Sequence, residues 1–191
     1  MKLTSFKLSW LPLVLFVGSA LHAQARKELS YDWQPSQITG TYQWTVDDYS
    51  LRVSANQLQR TRLNGGAIEY ALRHFYPWEI VGAAEYAQGQ PLSQHLVTVQ
   101  GGLGYCRGFR QWIPFGRILL GMARTSSPQD MYLYPSAKTG FALGTSVGTD
   151  YQLSRHFGVR VIQIQNQYLP FGSRGSVYWS VASGINYRFH P

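Results

Sequence analysis

The chain has 191 residues, and its 17 Lys and Arg against 9 Asp and Glu give a formal charge of +8. Only 14% of residues are charged, against about 25% in a typical soluble domain, while aromatics reach 15% and there are 19 Gly and one Cys. One cysteine excludes a disulfide scaffold and a Cys-rich zinc module. The aromatic content argues against disorder, and the basic residues form no stripe of the kind nucleic acid requires, since Arg26-Lys27 is their only adjacent pair.

At the N-terminus, Lys2 and Lys7 precede an apolar run from Leu8 to Leu21, broken by Ser9, Pro12 and Ser19. Ala23-Gln24-Ala25 follows. A positive start, a short apolar core and a small-x-small site predict a cleaved secretory signal peptide over 1–25, with Ala23 as the alternative cleavage position. The run is shorter than the ~20 apolar residues of a spanning helix. No cysteine follows the site, so no lipid-modified terminus is expected. Residues 26–36 read as a periplasmic lead-in.

From there the chain alternates between apolar and small or polar residues, the period of a strand. The first strand, near Gln37–Val46, is the least regular. Asn64–His74, Trp78–Gln88, His95–Cys106, Trp112–Arg124, Phe141–Tyr151, Phe157–Leu169 and Val177–Phe189 complete a set of eight. In the last, Val177, Trp179, Val181, Ser183, Ile185, Tyr187 and Phe189 share one face, with Tyr178, Ser180, Ala182, Gly184, Asn186 and Arg188 on the other. Such strands exceed the usual ~5–6 residues of soluble sheets and suit a tilted membrane span of ~9–11. The connections through Phe75-Tyr76-Pro77, Gly108–Gln111 and Ser154–His156 are short, whereas Asp47–Leu63, Gly89–Gln94, Thr125–Thr139 and Pro170–Gly175 are longer. Short turns on one rim and longer loops on the other predict an all-β fold: an eight-stranded antiparallel up-and-down transmembrane β-barrel over 37–189.

The charges sit opposite the apolar faces. Glu69, Glu79, Glu85 and Asp150 share the inward side with Arg73, Arg117, Arg160 and Arg188, among small residues such as Ala67, Ala71 and Ala83. Eight strands enclose just enough room for side chains, so these eight are expected to form lumen ion pairs. Unpaired, each would cost several kcal/mol to bury. The alternative is a soluble sheet with the charges outside. Tyr, Trp and Phe near strand ends (Trp78, Tyr86, Tyr105, Trp112, Tyr151, Phe157, Trp179, Tyr187 and Phe189) fit interfacial girdles. The alternation fails once: if Arg160 faces the lumen, strict parity puts Gln163, Gln165 and Gln167 outside. Either a β-bulge resets the register, or that half of the strand rises above the bilayer.

These features together resemble the OmpA-type outer-membrane β-barrel family in its small eight-stranded form. The residues that carry the resemblance are Leu96-Val-Thr-Val-Gln-Gly-Gly-Leu-Gly-Tyr105, Pro114-Phe-Gly-Arg-Ile-Leu-Leu-Gly-Met-Ala-Arg124, Phe141-Ala-Leu-Gly-Thr-Ser-Val-Gly-Thr-Asp-Tyr151, Phe157-Gly-Val-Arg160 and Ser183-Gly-Ile-Asn-Tyr-Arg-Phe189. The resemblance implies that Ile185, Tyr187 and Phe189 belong to a C-terminal signal read by the barrel-assembly machinery, here followed by His190 and Pro191. Outer-membrane lipid and periplasmic chaperones are the other implied partners. Some relatives append a peptidoglycan-binding domain, and none is expected here.

Other candidates are weaker. The histidines are scattered, with no metal-ligand spacing, and His74 and His156 flank short turns. Cys106 reads as a packed free thiol. Ser93 and His95 would share a strand face, as a hydrolase pair requires, but no acid is placed to orient His95. Asp47-Asp48 reads as solvated loop. Met131-Tyr-Leu-Tyr134 is an aromatic cluster in a long connection, suited to lipid or a partner. The expectation is a non-enzymatic outer-membrane barrel without cofactor, structural or surface-interacting, with a surface ligand the sequence does not name. A narrow porin for small solutes is the second reading and an outer-membrane enzyme the third.

Overall fold

A computed structural model describes residues 36–47, 51–52, 58–59, 62–90, 95–126, 138–170 and 176–189. The expected signal peptide lies outside them, as do the lead-in apart from Ser36, Asp48, Ser93, Met131–Tyr134, His190 and Pro191.

Eight long strands form: β1 (Ser36–Asp47), β2 (Arg62–Phe75), β3 (Trp78–Gln90), β4 (His95–Cys106), β5 (Trp112–Ser126), β6 (Lys138–Gln152), β7 (Phe157–Leu169) and β8 (Ser176–Phe189). Each pairs antiparallel with its neighbours in sequence, and β1 closes on β8 from Ser36↔Phe189 to Asp47↔Tyr178. Closure leaves no sheet edge, so each strand's backbone groups can find partners within the wall. In the connection after β1, Leu51–Arg52 pairs with Leu58–Gln59. Tyr76-Pro77, residues 107–111 and residues 153–156 join strands at the rim that also holds Ser36 and Phe189.

The strands form for the reason their sequences suggest: alternation lets one continuous ribbon offer opposite chemistry to its two sides. The barrel is inverted relative to a soluble one. Val99, Leu103, Ile118, Met122 and Val147 are exposed on the outer wall, while Gln37, Thr39, Gln100, Ser146 and Asn186 are buried within. Ile118 is 61% exposed and Arg160 0%. In water such an apolar wall would be strongly unfavourable; in hydrocarbon it is matched to its solvent. At the short-turn rim Trp78 meets Tyr105 at 5.5 Å, Trp112 meets Tyr151 at 4.9 Å and Phe157 meets Tyr187 at 5.1 Å between ring centroids. These pairs build one aromatic girdle.

The irregularity in β7 is a bulge. Against β8 the register passes from Ala182↔Gln163 to Gly184↔Arg160, and against β6 from Thr149↔Ile162 to Asp150↔Arg160. Val161 and Ile162 therefore both face outward, and Arg160, Gln163, Gln165 and Gln167 all face inward. Of the two readings left open by the sequence, the bulge is the one adopted.

The inverted wall makes a measurable prediction. Ile118→Arg should cost about 2–4 kcal/mol in reversible urea unfolding from lipid vesicles, and Leu153→Arg, in a short turn, no more than about 1 kcal/mol. Equal and small effects would mean that Ile118 does not meet hydrocarbon.

Candidate functional site

The chemistry of the described residues is concentrated in the lumen. All eight charged residues expected there are buried. Six form a closed ring of alternating sign. Arg73 Nε lies 2.9 Å from Glu79 Oε2, and Arg117 Nε lies 2.5 Å from Glu79 Oε1. Arg117 Nη1 is 2.5 Å from Glu69 Oε2, which also meets Arg160 Nη1. Arg160 Nε is 2.8 Å from Asp150 Oδ1, and Asp150 Oδ2 returns to Arg73 Nη2 at 3.7 Å. Each acid touches two guanidiniums and each guanidinium two acids, so the ring is neutral.

Its residues are positioned by five strands: Glu69 and Arg73 on β2, Glu79 on β3, Arg117 on β5, Asp150 on β6 and Arg160 on β7. Period 2 turns each side chain inward, and the small residues between them leave room. A Cβ on Gly104 would lie 2.8 Å from Glu79 Cγ and 2.9 Å from Arg117 Cγ. One on Gly148 would lie 2.6 Å from Phe115 Cζ. The Phe115 ring lies under two members of the ring, with Arg117 Cζ at 4.1 Å and Arg160 Cζ at 4.5 Å from its centroid. Cation–π attraction adds to the ion pairs there.

The other two expected members behave differently. Arg188 Nε donates to Gln37 Oε1 at 3.2 Å. Gln37 in turn accepts from Arg73 Nη1 at 2.7 Å and donates to Asp150 Oδ2 at 2.9 Å. Glu85 departs from the expectation: no arginine ion-pairs with it among the described residues. It accepts instead from Gln165 Nε2 at 2.6 Å and Gln167 Nε2 at 2.5 Å. The reason is what the strand across the lumen presents at its level. Glu85 is one inward step beyond the level of Glu69, which pairs with Ala83, toward the long-loop end, where the inward face of β7 presents Gln165 and Gln167 and no arginine.

Gln37, Gln163, Gln165, Gln167 and Phe115 are site residues that a search for charges misses. Gln163 Nε2 donates to Glu69 Oε1 at 2.9 Å and to Gln165 Oε1 at 3.2 Å, linking the ring to Glu85. The signal for them was present in the broken parity of β7 and in the wholly polar inward face Gln37, Thr39, Thr41, Gln43 and Thr45 of β1.

Apolar clusters lie at both ends of this polar column. Cys106, Ile113 and Phe115 group at the short-turn end. At the other, Leu63, Ala87, Leu96, Ala123, Ala142, Leu169 and Tyr178 form a cluster with one residue from each of seven strands. The eighth, β1, supplies Thr45, whose hydroxyl hydrogen-bonds the Ser180 hydroxyl at 2.8 Å. Outside the lumen, His95 Nδ1 lies 2.9 Å from the Tyr86 hydroxyl on the outer wall. His156 Nδ1 is 3.2 Å from the Arg188 carbonyl oxygen. Ile185, Tyr187 and Phe189 face outward, and Tyr187 meets the Phe189 ring at 5.2 Å.

No protein-family model and no curated protein matches the sequence. Solved structures do match in shape. Neisserial surface protein A, from Neisseria, aligns with a TM-score of 0.66 at 12% identity, over 81% of this chain and 97% of that one. Ail, the attachment invasion locus protein of Yersinia pestis, aligns at 0.52 and 16% identity over 81% and 97%. The N-terminal β-barrel domain of Pseudomonas aeruginosa OprF aligns at 0.52 and 15% identity over 82% and 98%. The chain has the fold of these small eight-stranded outer-membrane barrels, as the OmpA-type resemblance implies.

The ring and Glu85 should respond differently to neutralisation. Glu69→Gln takes one of its two counter-charges from both Arg117 and Arg160, leaves the buried cycle with a net positive charge, and should cost about 3–5 kcal/mol of unfolding free energy in vesicles. Glu85→Gln strands no cation and should cost about 1 kcal/mol. Equal losses would contradict a ring that acts as a unit.

Proposed function

We propose that the chain is an integral outer-membrane barrel with a filled lumen, which serves the cell surface by holding its long connections in place rather than by conducting solutes. The observation that carries this reading is the stacking inside the barrel: an apolar cluster, the neutral ionic ring, the amide column and a second apolar cluster. Little of the narrow lumen that eight strands enclose is left for solute. The outer wall supports the membrane location, and the girdle at the short-turn rim supports an orientation with those turns in the periplasm and the connections 48–61 and 127–137 outside.

The same reading includes export by the N-terminal signal, passage with periplasmic chaperones, and insertion by the barrel-assembly machinery through Ile185, Tyr187 and Phe189. Their outward, aromatic-ended row is available to a partner before it meets lipid. The porin alternative would need a path past both apolar clusters. The enzyme alternative has its histidine, His95, on the outer wall beside Tyr86, where it supports an interfacial role.

Two measurements test the proposal. In unboiled detergent samples the protein should migrate differently from boiled ones, because a closed barrel resists the detergent until heated; one unchanged band would overturn the barrel. In planar bilayers it should add no conductance steps, and Glu69→Ala with Arg117→Ala should remain silent behind the cluster at the long-loop end. Steady openings would favour the narrow porin.

A further inference from the structure

The acids and bases of the barrel are sorted by side. Every acid whose side chain is described (Glu69, Glu79, Glu85 and Asp150) is inward, so the described charges on the outer surface are all positive. At the long-loop end these cations are not spread evenly. Cross-strand pairing sets Asn64 beside Gln88 and Gln88 beside His95, across β2, β3 and β4. Arg62 is two residues from Asn64 on the same face. Arg124 of β5 is two residues from Ser126, the partner of His95. Both arginines are exposed; Arg62 is diagonal to Gln88 and Arg124 is diagonal to His95, the ~7–8 Å spacing that long side chains bridge, so the two stand at opposite corners of the patch. The Tyr86 hydroxyl, 2.9 Å from His95 Nδ1, donates to Gln88 Oε1 at 3.3 Å, ordering the middle of the patch.

The adjoining arc of the same rim, on β1 and β8, has another character. The pairings Trp44↔Asn64, Val46↔Arg62, Val46↔Trp179 and Trp44↔Val181 place Trp44, Val46, Trp179 and Val181 at the level of the polar patch. None of the four carries a charge. The β1 and β8 stretch of the rim thus offers aromatic and aliphatic contact, and the β2 to β5 stretch beside it offers cationic and hydrogen-bonding contact to an anionic, hydroxyl-rich partner at the membrane interface.

We propose that Arg62, Asn64, Tyr86, Gln88, His95 and Arg124 form a lateral binding surface for a phosphorylated glycolipid of the outer leaflet. Arg62 and Arg124 take phosphate groups and the amides and phenol take sugar hydroxyls, while Val97, directly across from Arg124, and Met122, two residues below Arg124, meet acyl chains. The two cations stand on strands separated by β3 and β4, so a headgroup with phosphates at both ends of a disaccharide fits better than one with a single phosphate. Guanidinium is suited to the task, since it offers several donors in a fixed plane to phosphate oxygens. This inference rests on the outer-membrane reading above, which puts this rim in the outer leaflet.

Native mass spectrometry of the folded full chain in detergent micelles tests it, with three lipids titrated separately: bis-phosphorylated lipid A, its monophosphorylated form, and phosphatidylglycerol. The expected result is a one-to-one adduct strongest with the bis-phosphorylated lipid. Arg62→Gln with Arg124→Gln should weaken it about 30-fold, at about fivefold per arginine. Arg107→Gln with Arg155→Gln, at the short-turn rim, should leave it unchanged. Binding of phosphatidylglycerol as tightly as the bis-phosphorylated lipid at equal charge would overturn the proposal, since any anionic surface would then suffice. So would an adduct indifferent to the Arg62 and Arg124 substitutions. The comparison of lipids on the unsubstituted protein needs no variant to fold. A heat-dependent gel shift separates the two levels: no shift overturns the barrel reading and this inference with it, whereas a shifted band with no lipid preference overturns the inference alone.

Discussion

The alternating ring of Glu69, Arg117, Glu79, Arg73, Asp150 and Arg160 is the constraint on which the interior depends. Six charges in a narrow, solvent-poor space would be prohibitive if any were left over. A closed cycle leaves none over, because every member has a counter-charge on both sides. The neighbouring choices follow from making that cycle fit. Gly104 and Gly148 leave space for the Glu79–Arg117 pair and for Phe115, and Phe115 offers a ring face to two guanidiniums. The bulge in β7 lets Arg160 and Gln163 point the same way although they are three residues apart.

Much of this was legible from sequence because period 2 is a geometric fact about strands. Once Val177–Phe189 or Phe141–Tyr151 is seen to alternate, the side on which each residue falls is fixed, and with it the inward position of all eight expected charges. Partnership across the lumen was less legible. It depends on stagger between strands distant in sequence, as with Glu69 and Arg160, and no local pattern reports it. Glu85 shows the limit: its parity gave its side, but its level along the barrel gave it amides instead of a guanidinium. The polar run of β7 was ambiguous for a related reason. A bulge depends on the two flanking strands, and the residues themselves record only that parity changes.

The matches in shape at 12–16% identity are consistent with this division of labour. Lipid demands only that outward residues be apolar, with aromatics near the interfaces, and many sequences satisfy it. The lumen demands only that volumes and charges complement each other, and again many sets do. Backbone closure is the shared requirement, and it makes no demand on side-chain identity. Barrels of one architecture can thus drift far apart in sequence while the exposed rims and connections take on separate tasks.

Closure of the ionic ring also works as a parity check on assembly. Its members come from β2, β3, β5, β6 and β7, so no single hairpin contains the complete cycle. A strand that paired one residue out of step would turn its arginine or carboxylate toward lipid and its apolar neighbour inward, breaking at least two ion pairs at once, and four for β2, which carries both Glu69 and Arg73. The penalty is felt throughout the cycle, not only at the seam that slipped. A uniform apolar lumen would tolerate such an error far more readily. The buried charges thus single out one threading of the chain from the many that a plain alternating pattern would allow.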